Sequence, residues 1–256
     1  MNGEIQQASG IVIAARKALF EKKSIDFTPG KHIRSIQFVF APRSWFGVLQ
    51  KVNSVEGWFD LCIKRGLTDM KFIVPSGRNN RHLLGFANTS QCVIVCSWRN
   101  GKTSHFCPFW ECDAAQEGWK VIYNEQYVTN NAFKNLRFTE KTEEFKDILL
   151  KIGRFAAELD FSWFADVFQD AYEVLNQSRR AEGAHIPPQL PDAFKAIYYA
   201  VEKADVFGAM GSWNDSPPCY AEEKGRGREY EALSNELLVQ LRYHLMYVTN
   251  ECWTQG

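Results

Sequence analysis

Cys96, His105 and Cys107 are the residues of this chain whose types and spacing come closest to chemistry. They stand on two runs of strand-forming residues, Gln91 to Trp98 and Lys102 to Trp110, on either side of Asn100-Gly101. Asn-Gly is the dipeptide most favoured in a two-residue hairpin turn, so the spacing predicts a hairpin in which Arg99 faces Lys102. That register sets Cys96 opposite His105 and Ile94 opposite Cys107. Alternation along each strand then brings Cys92, Cys96, His105 and Cys107 to one face, with Cys112 a little further on. Thiolates and an imidazole at cross-strand distance are the beginning of a tetrahedral zinc site. A thiol beside an imidazole is also the beginning of a nucleophilic pair, provided a third group orients the ring. The plainer reading is a buried face on which cysteines serve as small apolar residues beside Ile94 and Phe109. No Cys-x-x-Cys knuckle accompanies the set, and a flat face converges poorly on one ion. The expectation is therefore no metal and no cofactor, with Cys96, His105 and Cys107 kept as catalytic candidates.

A second candidate is the segment Val206-Phe207-Gly208-Ala209-Met210-Gly211-Ser212-Trp213-Asn214-Asp215. Its glycines permit backbone conformations that other residues resist. Trp213 offers a flat surface, and Asn214 and Asp215 supply turn-forming or recognition groups. Two roles follow: a binding loop presenting Trp213, Asn214 and Asp215, or a helix-ending plug in which Trp213 fills one end of a set of helices. The run Phe207-Gly208-x-Met210-Gly211-Ser212-Trp213-Asn214-Asp215 resembles a signature in small helical bacterial proteins of unknown function. Ala209 stands where that group usually has glycine. The resemblance covers roughly residues 140 to 250 and implies a bacterial source, a helical domain and an immunity-like or accessory role, without any reaction.

Other short patterns are thinner. Arg180 and His185 have an Arg-x4-His spacing that resembles the motif of the HEPN ribonucleases, but Ala181 replaces the usual polar residue and Pro187-Pro188 follows at once. Ser76 to Arg81 and Lys224 to Arg228 combine glycine with bases, as anion loops do, yet neither matches a P-loop or a dinucleotide fingerprint.

The elements that must position these residues divide into two kinds. Residues 5 to 20 carry apolar side chains at helical spacing, which predicts an amphipathic helix with one face to bury. Strands are predicted at 35–40, 70–74 and 119–123, besides the hairpin, and Ser54 and Gly66 bracket a short helix. After the polar stretch 124–137, four helical patterns follow, each with one apolar face. The fold class expected is α+β: an N-terminal mixed helix and antiparallel-sheet domain over 1–130, then a C-terminal helical bundle over 138–256.

Thirty basic residues balance thirty acidic ones and no polybasic run occurs, so nucleic acid is not the expected partner. Seven cysteines at irregular spacings point to reduced thiols and a cytoplasmic location. No apolar stretch reaches the ~18 residues of a membrane span, and the N-terminal apolar run does not read as a signal peptide. The function expected is a non-catalytic bacterial factor whose partner is another protein. The alternative is a Cys/His hydrolase or nuclease with residues drawn from both halves.

Overall fold

The first strand, β1 (Ile33–Phe40), alternates Ile36, Phe38 and Phe40 inward, and all three are buried. In the computed structural model it belongs to a six-stranded sheet with β2 (Gln50–Val52), β3 (Leu67–Ile73), β4 (Val93–Trp98), β5 (Thr103–Asp113) and β6 (Gly118–Tyr127). Residues 3–42, 48–74, 81, 92–113, 118–127, 133, 136–181, 185–208 and 210–254 are described. The sheet order is β2-β1-β6-β5-β4-β3. The pairs β5–β6, β4–β5 and β3–β4 are antiparallel, as expected, and so is β1–β2, whose short second strand the sequence patterns do not mark. β1 and β6, however, pair in parallel, with Ile36 against Val121 and Phe38 against Tyr123. The sheet is therefore mixed, not antiparallel. Only neighbouring strands joined by short turns advertise their pairing locally, and β6 returns to β1 across most of the domain.

Two helices lie on one face of the sheet, α1 (Gly3–Glu21) and α2 (Val55–Lys64). Ser54 caps α2 by accepting from Gly57 N at 3.1 Å, and Gly66 follows its end at φ +86°. Trp58 of α2 stacks on Phe38 at 4.4 Å, Phe38 stacks on Tyr123 at 4.8 Å, and Phe106 meets Phe38, Phe40 and Trp58 edge-on. α1 departs from the expected one-sided helix, because every residue from Gln7 to Arg16 is buried. Its buried polar groups are held by the sheet unit. Glu4 accepts from Cys92 N at 3.1 Å, and Arg16 donates to Asp69, to Met70 O and to Trp253 O. Asn250 closes the outer edge of β3, its side-chain amide accepting from Phe72 N and donating to Phe72 O, both at 2.8 Å. An edge occupied in this way cannot pair with another strand.

The remaining helices are α3 (Thr142–Glu158), α4 (Ser162–Leu175), α5 (Asp192–Ala204), α6 (Pro217–Glu223) and α7 (Gly227–Glu251). The apolar faces read from the sequence are the buried ones: Phe145, Ile148, Leu149, Ile152 and Phe155 on α3, and Phe164, Val167, Phe168 and Ala171 on α4. α6 was not anticipated, although Pro217-Pro218 in its first turn is a helix-start signal. The contacts divide the chain into two compact units. One holds residues 138–248 with Arg81; the other holds 3–74, the described residues of 92–137, and 249–254. Among the described residues no helix is long and apolar enough to cross a membrane.

Candidate functional site

The hairpin decides the fate of the cysteine and histidine set. Trp98 N donates to Lys102 O at 3.0 Å, and Gly101 N donates to Trp98 O at 2.8 Å. Gly101 sits at φ +80°. The connection is thus a three-residue loop, Arg99-Asn100-Gly101, built as a turn with a left-handed glycine at its end. One extra loop residue moves the register by one, so Cys96 faces Ser104, and His105 faces Val95. The expected single face for Cys92, Cys96, His105 and Cys107 is corrected accordingly. A slip of one residue sends every side chain of a strand to the other side. Cys92 and Cys96 lie on the face covered by α1 and α2, and His105 and Cys107 lie on the opposite face, with the sheet between them.

Their surroundings suit packing. Burial pushes the Cys96 thiol up, and the neighbouring Cys62 thiol adds to the effect. A thiol so placed is a poor nucleophile. His105 rests 5.5 Å from the Phe133 ring, and burial lowers its pKa. All seven cysteines are free, with Cys62, Cys92, Cys96 and Cys252 buried. Among the described residues no three His, Cys, Asp or Glu side chains gather as a metal site would require.

The second candidate segment is built differently. Trp213 is fully buried, and its Nε1 donates to Ser234 Oγ at 2.8 Å. Its ring meets Phe164 at 5.1 Å, Phe168 at 5.7 Å and Tyr230 at 5.4 Å, and Phe161 lies just beyond. Trp213 N returns to Val206 O at 3.0 Å, closing the intervening residues into a loop. Asp215 accepts from Gly211 N at 2.8 Å, which holds the glycine at φ +78°. Asn214 exchanges two hydrogen bonds with Arg81: its Oδ1 accepts from Nη1 at 2.7 Å, and its Nδ2 donates to Arg81 O at 3.1 Å.

Arg81 belongs to the glycine- and base-containing stretch Ser76 to Arg81, whose other five residues lie outside the described residues, and it is neither a solvated nor an anion-binding side chain. The guanidinium of Arg81 is buried, pairs with Glu231, donates to Tyr230 Oη at 2.8 Å and lies over the Tyr230 ring at 4.9 Å. Tyr230 in turn donates to Trp213 O at 2.5 Å. Burial pushes the Tyr230 phenol up to about 12, against the opposing pull of Arg81, so it remains a donor at neutral pH. The other anion candidate is engaged as well. Lys224 binds Asp160 and Glu158 O, and Arg226 binds Glu158 and Glu229. Arg180 and His185 lie between α4 and α5, on neither helix.

This framework presents three large apolar side chains outward. Met210, beside Gly211 in the same loop, is 92% exposed; Trp163, in the first turn of α4, is 63% exposed; Tyr220 of α6 is 49% exposed. Trp163 touches Phe164 at 4.7 Å and Tyr220 touches Phe161 at 5.2 Å, so both are one ring removed from the Trp213 cluster. Exposed carboxylates lie close in sequence to all three. Asp166 follows Trp163 by three helical positions, Glu223 follows Tyr220 by three, and Asp215 holds the glycine next to Met210. Residues of known proteins give no further guide: no family model, curated protein or solved structure matches this chain.

Proposed function

We propose that this chain is a non-catalytic bacterial protein-binding factor, immunity-like or accessory in role, which acts in the cytoplasm through the aromatic surface around the first turn of α4. The observation that carries this reading is the exposure of Trp163 and Tyr220 on an aromatic base, with exposed Met210 in the neighbouring loop and Asp166, Glu223 and Asp215 close by in sequence. Exposed tryptophan and tyrosine on a fixed support are the side chains that dominate protein interfaces. Acidic neighbours steer the choice of partner toward a surface with apolar contacts ringed by lysine and arginine. They disfavour a phosphate backbone, in keeping with the neutral overall charge. In this reading α3 to α7 act as a bundle that holds the surface still, and Trp213, Asn214 and Asp215 bind the loop together rather than the partner.

The test is a quantitative pulldown from native cells with the full chain and two variants, Trp163→Ala and Asp166→Lys. The reading expects one basic protein recovered at near-stoichiometric yield by the wild type and lost from both variants. Its capture should weaken steeply as salt rises. Recovery that is indifferent to both substitutions, or a strongly acidic protein as the captured partner, would overturn it.

A further inference from the structure

The sheet unit contains a cleft of about 350 Å³ with no part in the surface above, lined by Pro42, Arg65, Trp98, Asn100, Lys102, Glu125 and Tyr127. Its place follows from the topology. β1 and β6 run in parallel, and Pro42, Glu125 and Tyr127 stand at or just past their carboxyl ends. Crevices outside the carboxyl ends of parallel strands are a recurrent place for ligands. The three-residue β4–β5 loop adds Asn100 and brings Lys102 to the rim, and the end of α2 adds Arg65.

The floor is a closed polar network. Glu125 is 1% exposed and accepts from Ser104 Oγ at 2.7 Å, from Ala41 N at 3.0 Å and from Arg65 Nη1 at 3.4 Å. Ser104 itself receives Trp98 Nε1 at 3.0 Å. Arg65 is held by the Phe40 ring at 4.2 Å and by Gln50 at 3.0 Å, and it lines the cleft. The carboxylate is thus used in fixing the floor, and it neutralises one of two cations. Lys102 is exposed and pairs with no carboxylate among the described residues. The described lining therefore carries an excess of one positive charge, and Trp98 and Tyr127 are its aromatic members.

We propose that this cleft binds a small monoanion with a flat apolar body, of the aromatic carboxylate class. A cavity of this size lies at the lower end of those that take small molecules, too small for a folded partner. The ring lies between Trp98 and Tyr127, and the carboxylate reaches Lys102 and the open side of Arg65, with the Asn100 amide beside it. Fixed donors around a planar carboxylate are the arrangement in which arginine and lysine act together best.

Calorimetric titration of the full chain with indole-3-carboxylate, its neutral amide indole-3-carboxamide and inorganic phosphate tests this. The carboxylate is expected to bind about tenfold or more tightly than the amide, and phosphate not at all below millimolar concentrations. Lys102→Ala should weaken the carboxylate about tenfold while the melting temperature stays put, since Lys102 is exposed; Tyr127→Ala should weaken carboxylate and amide alike. Absence of carboxylate binding, equal binding of acid and amide, tight binding of phosphate, or indifference to Lys102→Ala each overturns the assignment.

Discussion

Replacing Trp213 by alanine tests whether the signature segment is a plug or a contact surface. The indole is fully buried among Phe164, Phe168 and Tyr230, and its Nε1 holds the hydroxyl of the buried Ser234. Deleting a buried large aromatic costs about 3–5 kcal/mol. The Ser234 hydroxyl left without its donor adds about 1 kcal/mol at most, because it can rotate. The variant should therefore lose about 3–6 kcal/mol, a large share of the ~5–15 kcal/mol that holds a domain folded. For a chain of 256 residues this corresponds to a fall in Tm of about 6–24 °C. Trp213→Phe keeps most ring contacts and loses the hydrogen bond, so about 1–3 kcal/mol is expected. Asp215→Ala removes an exposed bond to Gly211 N and should cost about 0.5–2 kcal/mol. Thermal and urea melts of the three variants read these differences directly. Should Trp213→Ala melt within about 2 °C of wild type, the plug is wrong and the loop must be rebuilt as a recognition element.

Thiol chemistry should follow burial. In the native protein an aromatic disulfide reagent is expected to modify the exposed Cys112 and Cys219 quickly and the half-buried Cys107 more slowly, while Cys62, Cys92, Cys96 and Cys252 react only on unfolding. Rapid loss of Cys96 in the folded chain would contradict its placement under α2. Burial holds His105 and His244 below the ordinary imidazole range, and His244 is stacked on Phe145 at 4.7 Å. The unfolded chain takes up protons first as pH falls through about 6.5, so stability present above that pH is lost as the pH falls below it, and the loss levels off below the folded-state values. Urea melts across that window should show a smaller slope for His244→Phe, and a wild-type stability that is flat with pH would refute the argument.

Local chemistry was legible wherever the signal and its partner lie close in the chain. Ser54 and Gly66 bracket α2 because a cap and a left-handed stop are written within one helix length. Asn100-Gly101 marks the hairpin but not its register, since the same dipeptide serves a two-residue turn or closes a three-residue loop. That single ambiguity carried the whole cysteine and histidine site with it. The parallel β1–β6 pair had no local signal at all, nor did the link between Arg81 and Asn214, 133 residues apart. For α1 the periodic pattern implied one buried face, whereas the run Ile11 to Ala15 was already apolar around the helix. The polar residues at its two ends disguised this, because Glu4 and Arg16 find their partners on distant strands.

Several buried ionisable groups among the described residues are committed to partners within the fold. A catalytic acid, base or nucleophile needs a free valence toward a substrate and a pKa near the working pH. Arg16 is tied to Asp69 and two carbonyls, Arg81 to Asn214, Tyr230 and Glu231, and Glu125 to Ser104, Ala41 and Arg65. Cys96 and Tyr230 are moved away from neutrality, toward protonated and inert forms. Asp205 and Glu202 differ, because burial pushes both carboxyls up, whereas the Asp170 carboxyl lies below the usual range. Burial opposes that shift, but hydrogen bonds from Lys203 and Tyr199, with Arg179 alongside, outweigh it. A carboxylate so paired is stabilised as an anion, which makes it a poor proton acceptor at neutral pH. Recognition asks for the reverse: groups held rigidly from behind and open in front. In the proposed reading Trp163 and Tyr220 meet that condition on the Trp213 cluster, while Lys102 extends from the hairpin that Gly101 closes.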